Sequence, residues 1–245
     1  MRLTRVHVDL PLAPGMELSL PEAPAVHLAR VLRIGVGDAC VLFNGDGRDY
    51  AARVVASGKR ELRVAVTDAV AIESESPLRI MLLQGIARGE KMDLILQKAT
   101  ELGVAEVRPL GSQRSEVKLD ATRGAKRLAH WRNVVVAACE QSGRATVPPV
   151  AAPGSLAEVL AGLPAGGVRL TLDPEGTLAI SSLEVPATAP LLLAVGPEGG
   201  WSPADRDQLR EAGFQGLRLG PRILRTETAG LAAIAALQAG FGDLG

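Results

Sequence analysis

Over the first 70 residues, apolar positions recur at short, strand-like intervals. Arg2 to Val8 alternates, and Glu61 to Val66 puts Leu62, Val64 and Val66 on one face, the period-two pattern of half-buried strands. Asn44-Gly45-Asp46-Gly47 supplies residues that tolerate positive φ, as a tight turn requires. Val26, Leu28, Val31 and Leu32 suit one short helical turn. Together these elements predict a small β-barrel. Glu73-Ser74-Glu75-Ser76-Pro77 then breaks the pattern with polar residues and a proline, which predicts a linker and two domains, 1–72 and 73–245.

Beyond the break the period changes. Apolar runs at Ile80 to Leu83, Leu170 to Leu172 and Leu191 to Val195 alternate with helical stretches, so a parallel α/β domain is expected. One helix is predicted from Glu90 to Leu102, burying Met92, Ile95, Leu96 and Ala99 and stopping at Gly103; a second carries Trp131, Val134, Val135 and Ala138.

Composition narrows the class. With 27 Gly and 16 Pro in 245 residues, the chain is not of low complexity. No apolar run approaches the roughly 18–20 residues that span a bilayer, and Met1 to Asp9 carries charges where a signal peptide is apolar, so no membrane association and a cytoplasmic location are expected. Cys40 and Cys139 belong to no CxxC or Cys/His cluster, so no metal site is expected. The 27 basic and 27 acidic residues balance, but Arg108 to Arg132 carries seven basic groups (Arg108, Arg114, Lys118, Arg123, Lys126, Arg127, Arg132) against Glu116 and Asp120. That strip either faces phosphate or is a solvated surface.

Two constellations suggest chemistry. Leu191 to Val195 runs into Gly196-Pro197-Glu198-Gly199-Gly200, and Ser202-Pro203-Ala204-Asp205 follows as an N-cap, a first-turn proline and a capping-box acid. Missing side chains in such a loop let a ligand approach backbone at a strand end. The loop lacks the Lys and Ser/Thr of a P-loop and the GxGxxG of a dinucleotide turn. The other constellation is Leu219-Gly220-Pro221-Arg222-Ile223-Leu224-Arg225-Thr226-Glu227-Thr228-Ala229, a stiff loop with Arg222 and Arg225 before an Ala/Leu-rich helix that Thr226 is expected to cap.

With these loops the sequence resembles the bacterial 16S rRNA uracil-N3 methyltransferases of RsmE type, in the SPOUT superfamily. The resemblance covers nearly the whole chain, through HLARVLRIGVGD at His27 to Asp38, RGEKMDLILQKATELGV at Arg88 to Val104 and RSEVKLD at Arg114 to Asp120. It continues through ACEQSGRATVP at Ala138 to Pro148, GPEGGWS at Gly196 to Ser202, LGPRILRTETA at Leu219 to Ala229 and FGDLG at Phe241 to Gly245. It matches poorly from Ala151 to Pro190. It implies a PUA-like N-terminal β-barrel and a C-terminal SPOUT-type α/β domain with a trefoil knot, binding S-adenosylmethionine and working as a homodimer. Connectivity rules alone argue against a knot, so that feature rests on the resemblance.

The implied cofactor pocket comprises Leu172, Leu193, Ala194, Val195, Gly196, Gly199, Leu219, Gly220, Pro221, Ile223 and Leu224. The implied reaction is methylation of N3 of a specific uridine in 16S rRNA, on the assembled small ribosomal subunit. That chemistry needs a proton acceptor, a stabiliser for the uracil anion and in-line placement. Arg225 is the expected anion stabiliser. Glu198 and Glu227 are candidate acceptors, although Glu198 could instead order the glycine loop and Glu227 could simply favour a helix's first turn. Arg2, Arg5, Arg30, Arg33, Arg114, Lys118 and Arg144 are the expected RNA contacts, since arginine pairs with phosphate and stacks on bases. His27 reads more readily as a partly buried core residue than as a base-reading group. Glu140, Gln141 and Arg144 could position RNA or a partner subunit, or hold the structure. Two other readings stand beside this one: a noncatalytic dimeric RNA-binding protein, and a methyltransferase acting on another RNA or on a small molecule.

Overall fold

The computed structural model describes residues 4–58, 61–116, 121–186 and 189–245, and the chain divides into two compact units. The first holds Met1–Glu75 together with Cys139–Val147, and the second holds the rest.

In the first unit β1 (Arg5–His7) lies parallel to β3 (Ala39–Phe43), which pairs antiparallel with β4 (Arg48–Ser57). β4 pairs with β5 (Leu62–Ala71), and β5 with β2 (Glu17–Ser19). The turn predicted at Asn44 to Gly47 joins β3 to β4, with Gly45 at φ 93° and Gly47 at φ 86°. Leu62, Val64 and Val66 are buried as their alternation requires, beside Val6, Leu28, Leu42 and Val54. The ladder does not close. β1 and β2, three residues each, remain its edges, so the expected barrel is an open five-stranded sheet among the described residues.

The helical turn expected around Leu28 exists but is irregular. α1 (Glu22–Val26) passes into a π-helical turn over His27–Val31, where the Leu32 amide donates to the His27 carbonyl at 3.1 Å. A wider turn rotates each following side chain off the 3.6-residue stripe. Leu28 is therefore buried, whereas Val31 and Leu32 face solvent, and His27 is exposed and not part of the core. Arg33 ends the segment at φ 56°.

Two of the arginines expected to touch RNA are internal to this unit. Arg5 is 9% exposed: it grips both Asp49 oxygens at 2.9 and 2.6 Å, donates to the carbonyls of Cys139 (2.8 Å) and Arg144 (3.2 Å), and lies 4.5 Å over the Phe43 ring. Arg144, 3% exposed, forks onto Glu75. Glu140 accepts from the His7 amide at 2.9 Å. A buried guanidinium whose donors are already taken has none to offer phosphate, so Arg5 and Arg144 hold structure. Arg30 and Arg33 are exposed. Arg2 and Lys118 lie outside the described residues.

The second unit is a six-stranded, wholly parallel sheet. In spatial order it comprises β11 (Gln215–Leu217), β9 (Val168–Leu172), β10 (Leu191–Val195), β6 (Ile80–Gly85), β7 (Glu106–Gly111) and β8 (Gly154–Ser155). β6 and β10 are buried at every position, which is why Ile80 to Leu83 and Leu191 to Val195 read as unbroken apolar runs. Met81, Leu83, Leu192 and Ala194 pack with Trp201, Leu209 and Phe214, the last three around α5 (Pro203–Glu211). α2 (Glu90–Glu101) buries Met92, Ile95, Leu96 and Ala99 and ends before Gly103 at φ 81°. α2 packs against α6 (Thr226–Phe241). α4 (Leu156–Ala161) carries a Ser155/Glu158 capping box, and α3 (Ala121–Ser142) buries Trp131, Val135 and Ala138.

Of the charged strip, Arg108 bonds Glu106 and the Gly162 carbonyl, Arg114 bonds the Gly199 carbonyl, and Arg132 bonds the Val150 carbonyl. None of the described helices is long and apolar enough to cross a membrane.

Candidate active site

Three neighbouring strands, β10, β9 and β11, end at one cleft of about 610 Å³. Its walls are Leu172 to Glu175 after β9, Val195 to Trp201 after β10, and Leu217 to Gly220 with Arg222 to Glu227 after β11. Ligands of open parallel sheets bind at this end, because loops leaving the strands' carboxyl ends converge there.

The glycine loop is tightly seated. A Cβ on Gly85, at the end of β6, would lie 2.5 Å from the Pro197 nitrogen and 2.8 Å from the Gly196 carbonyl carbon. One on Gly196 would stand 3.4 Å from the Trp201 ring, and one on Gly199 would press on Arg114 at 3.0 Å. The loop turns through a Gly200 amide to Pro197 carbonyl bond of 2.8 Å, with Gly200 at φ 65°. Ser202 then caps α5: its hydroxyl accepts from the Asp205 amide at 3.0 Å while Asp205 accepts from the Ser202 amide at 2.9 Å, the box read from the sequence.

At α6 the outcome differs. The N-cap is Arg225, and Thr226 is the first helical residue, with its hydroxyl turned back to donate to the Gly196 carbonyl at 2.5 Å and to accept from Gln84 at 3.3 Å. The hydroxyl that was expected to cap its own helix joins the two cleft loops instead.

The cleft gathers most of the expected cofactor residues: Leu172, Val195, Gly196, Gly199, Leu219, Gly220, Ile223 and Leu224 all line it. Leu193 and Ala194 do not. Both are buried inside β10, and Pro221 is exposed outside the lining. Ile223 lines the rim at 85% exposure, and Arg225 is exposed beside it.

Glu198 and Glu227 both line the cleft, and so does Lys91, which the sequence reading did not single out. Lys91 Nζ lies 3.5 Å from Glu198 Oε1 and 3.7 Å from Glu227 Oε1. Glu198 Oε1 also accepts from the Arg88 amide at 3.0 Å. Burial alone would raise the Glu198 carboxyl, but the bonds from the Arg88 and Glu198 amides and the Lys91 charge outweigh it and hold the group below the usual carboxylate range. Glu198 is therefore ionised at neutral pH.

Among the described residues, eight buried side-chain polar atoms have no partner, and four belong to cleft residues: Glu198 Oε2, Glu227 Oε2, Trp201 Nε1 and Arg206 Nε. Their residues bring two carboxylates, an indole N–H and a guanidinium to the lining of one cavity, the demand that a zwitterionic ligand meets. S-adenosylmethionine fits that demand, with a cationic ammonium and sulfonium, a carboxylate, and apolar ring faces for Leu172, Leu219 and Leu224. Among the described residues no group of three or more His, Cys, Asp or Glu is placed to hold a metal ion.

Fold and site together define an RNA methyltransferase: the family model for an RNA methyltransferase domain matches residues 74–238, and that for an RNA methyltransferase PUA domain matches residues 25–67. The chain is 31% identical over 243 residues to ribosomal RNA small subunit methyltransferase E of Buchnera aphidicola subsp. Schizaphis graminum, covering 99% of this chain and 98% of that one. It is 34% identical over 215 residues to the Mycobacterium tuberculosis protein of the same name, covering 86% and 82%. The Neisseria gonorrhoeae methyltransferase E, solved bound to S-adenosylmethionine, superposes with a TM-score of 0.93 at 39% identity over 100% of both chains. A Legionella pneumophila protein solved with the same cofactor reaches 0.95 at 35% identity, again over both whole chains. The chain belongs to the ribosomal RNA small subunit methyltransferase E family.

Proposed function

We propose that the protein transfers a methyl group from S-adenosylmethionine to N3 of a specific uridine in 16S rRNA, on the assembled small ribosomal subunit. The carrying observation is the cleft at three adjoining strand ends, lined by glycine backbone, leucine side chains and the charged side chains of Glu198, Glu227 and Arg206. Two relatives similar to the chain over their whole length are solved with that cofactor. A pure binding protein has no use for such a cavity.

The cofactor supplies an electrophilic methyl group. The chain's own residues have three tasks: to hold the base, to take the N3 proton and to stabilise the anion that remains. Leu172, Gly196, Gly199, Leu219, Gly220, Ile223 and Leu224 wall the cofactor. Arg225, exposed at the rim, pairs its guanidinium with the uracil oxygens as charge develops. The carboxylate of Glu198 or Glu227 accepts the proton. Arg30 and Arg33, exposed on the N-terminal unit, meet RNA, and Arg114 meets it beside the glycine loop.

The trefoil knot belongs to this proposal, supported by family membership and by β10 lying between β9 and the earlier β6. So does the homodimer. Ile234 and Leu237 are fully buried within the single chain and leave no surface for a partner, so the face offered by α6 is narrower than its composition suggests, with Leu231 and Ala235 half-buried.

Small subunits, naked 16S rRNA and a short oligonucleotide are each incubated with the protein and methyl-labelled cofactor, and the digested nucleosides are separated by mass spectrometry. Label in 3-methyluridine, greater on subunits than on free RNA, is expected. Label on another nucleoside, or equal label on a short oligonucleotide, would overturn the substrate assignment.

A further inference from the structure

We infer that Arg218 and Arg222 are phosphate contacts for the substrate RNA. With Arg225 they make the loop between β11 and α6 a cationic lip, against which the nucleotide chain lies while one base enters the cleft. The inference rests on the reading above that RNA is presented to this cleft.

The cleft is lined by six cationic side chains and four carboxylates, and they sort by element. Lys91 lies between Glu198 and Glu227, at 3.5 and 3.7 Å. Arg206, on α5, pairs with Asp173 at 3.4 Å and with Glu175 at 2.8 Å. All four carboxylates are accounted for by these two clusters, each of which has one cation for two acids. Arg114 gives a donor to the Gly199 carbonyl at 3.2 Å. The remaining three cations, Arg218, Arg222 and Arg225, come from the one loop after β11. All three are exposed, and none of their side chains has a hydrogen bond or ion pair among the described residues.

Charge is therefore separated across the cleft. The two acid clusters are formally negative, and the uncompensated positive charge is confined to the lip. A phosphodiester is drawn to the lip and repelled by the clusters, whereas an uncharged base can pass between them. The chain as a whole balances 27 basic against 27 acidic residues, so attraction for RNA has to come from such local excess.

The lip is also anchored. At one end the Arg218 amide donates to the Leu178 carbonyl at 3.0 Å, and at the other the Arg225 carbonyl accepts from the amides of Thr228 and Ala229 at 2.9 and 2.7 Å. Between them Gly220 stands at φ 74° and Pro221 follows with its ring-fixed φ. Guanidinium groups on a tethered backbone lose less freedom on binding, and their planar fork suits phosphate oxygens. The cofactor's carboxylate is the other anion within reach of this chemistry. It is a single group, and three exposed guanidiniums exceed what it needs.

The test uses Arg218→Gln, Arg222→Gln and the corresponding lysine variants in the full chain. Arg210→Gln is the control, since Arg210 is exposed on α5 and paired with Asp207. Affinity for small ribosomal subunits and for transcribed 16S rRNA is measured with S-adenosylhomocysteine present, over a potassium chloride series at fixed magnesium. Each glutamine variant is expected to reduce the slope of log affinity against log salt by about 0.7–0.9, which at about 0.1 M salt is a loss of about five- to eightfold. The lysine variants and Arg210→Gln keep the native slope. Calorimetry with S-adenosylmethionine should give native cofactor affinity in every variant, which also shows that each is folded. Unchanged slopes in the glutamine variants on both RNAs, or an equal change in Arg210→Gln, would overturn the proposal. So would loss of cofactor affinity at a native slope, which would assign the arginines to the cofactor's carboxylate. If the native protein methylates a nucleoside other than uridine, the uridine reading fails, while the salt slopes still decide the role of the lip.

Discussion

The Thr226 hydroxyl donates to the carbonyl of Gly196 at 2.5 Å, so the first residue of α6 holds the start of a loop 30 residues earlier in the chain. Both loops line the cleft, and this bond fixes one against the other. Thr226→Val removes the donor and leaves the part-buried Gly196 carbonyl unpaired, at about 1–3 kcal/mol. Affinity for S-adenosylmethionine measured by calorimetry should fall about tenfold or more, and Thr226→Ser should recover most of it. Equal affinity in the valine variant would mean that the loops are set by other contacts.

Gly85→Ala places a methyl 2.5 Å from the Pro197 nitrogen, a contact that only backbone movement relieves. Overpacking of this kind costs about 1–3 kcal/mol. Thermal unfolding should begin several degrees lower, and cofactor binding should weaken with it, because the segment displaced is the cleft's own wall.

Arg225→Ala should lower the rate of methyl transfer far more than cofactor affinity. The residue is exposed at the rim, and losing a donor that acts on developing charge costs on the order of 3–4 kcal/mol, or about a hundred- to thousandfold in rate. Arg225→Lys should recover little, since the planar fork is lost. Single-turnover kinetics beside a binding titration separates this from a scaffolding role, in which affinity and rate would collapse together.

Burial pushes the Cys40 thiol up to about 11 and that of Cys139 up to about 12, so neither forms thiolate at neutral pH. Iodoacetamide at pH 8 should leave both unmodified in the native protein and label both once denaturant is added, as read by intact-mass spectrometry. Rapid labelling of either cysteine before unfolding would show local opening of the first unit.

Legibility in the sequence followed locality. The apolar spacing of Met92, Ile95, Leu96 and Ala99 with Gly103 behind it gave α2 to within a residue, and Ser202 with Asp205 gave the cap of α5, because each signal lies within a few positions of what it controls. What was missed depends on partners far along the chain. Arg5 looks in the sequence like an RNA-binding residue, and partners as far away as the Cys139 carbonyl, 134 positions on, bury it. Thr226 has the identity of an N-cap, yet a carbonyl in another loop takes its hydroxyl. The stripe at Val26 to Leu32 assumed 3.6 residues per turn and met a π turn. Lys91 carried a motif match without a role, and its two acids arrive from α6 and the glycine loop.

The return of Cys139–Val147 to the first unit has a practical side. That unit is not a contiguous stretch of gene. Expressing residues 1–75 alone would strip Arg5 of two carbonyl acceptors and Glu75 of its guanidinium partner. Expressing residues 76–245 alone would leave an orphaned turn bearing a buried arginine with no carboxylate to meet it. Neither unit can be swapped as a cassette by a single cut. Grafting a foreign RNA-recognition module onto this methyltransferase needs three splice points, with the helix end at Glu140 travelling with the donor.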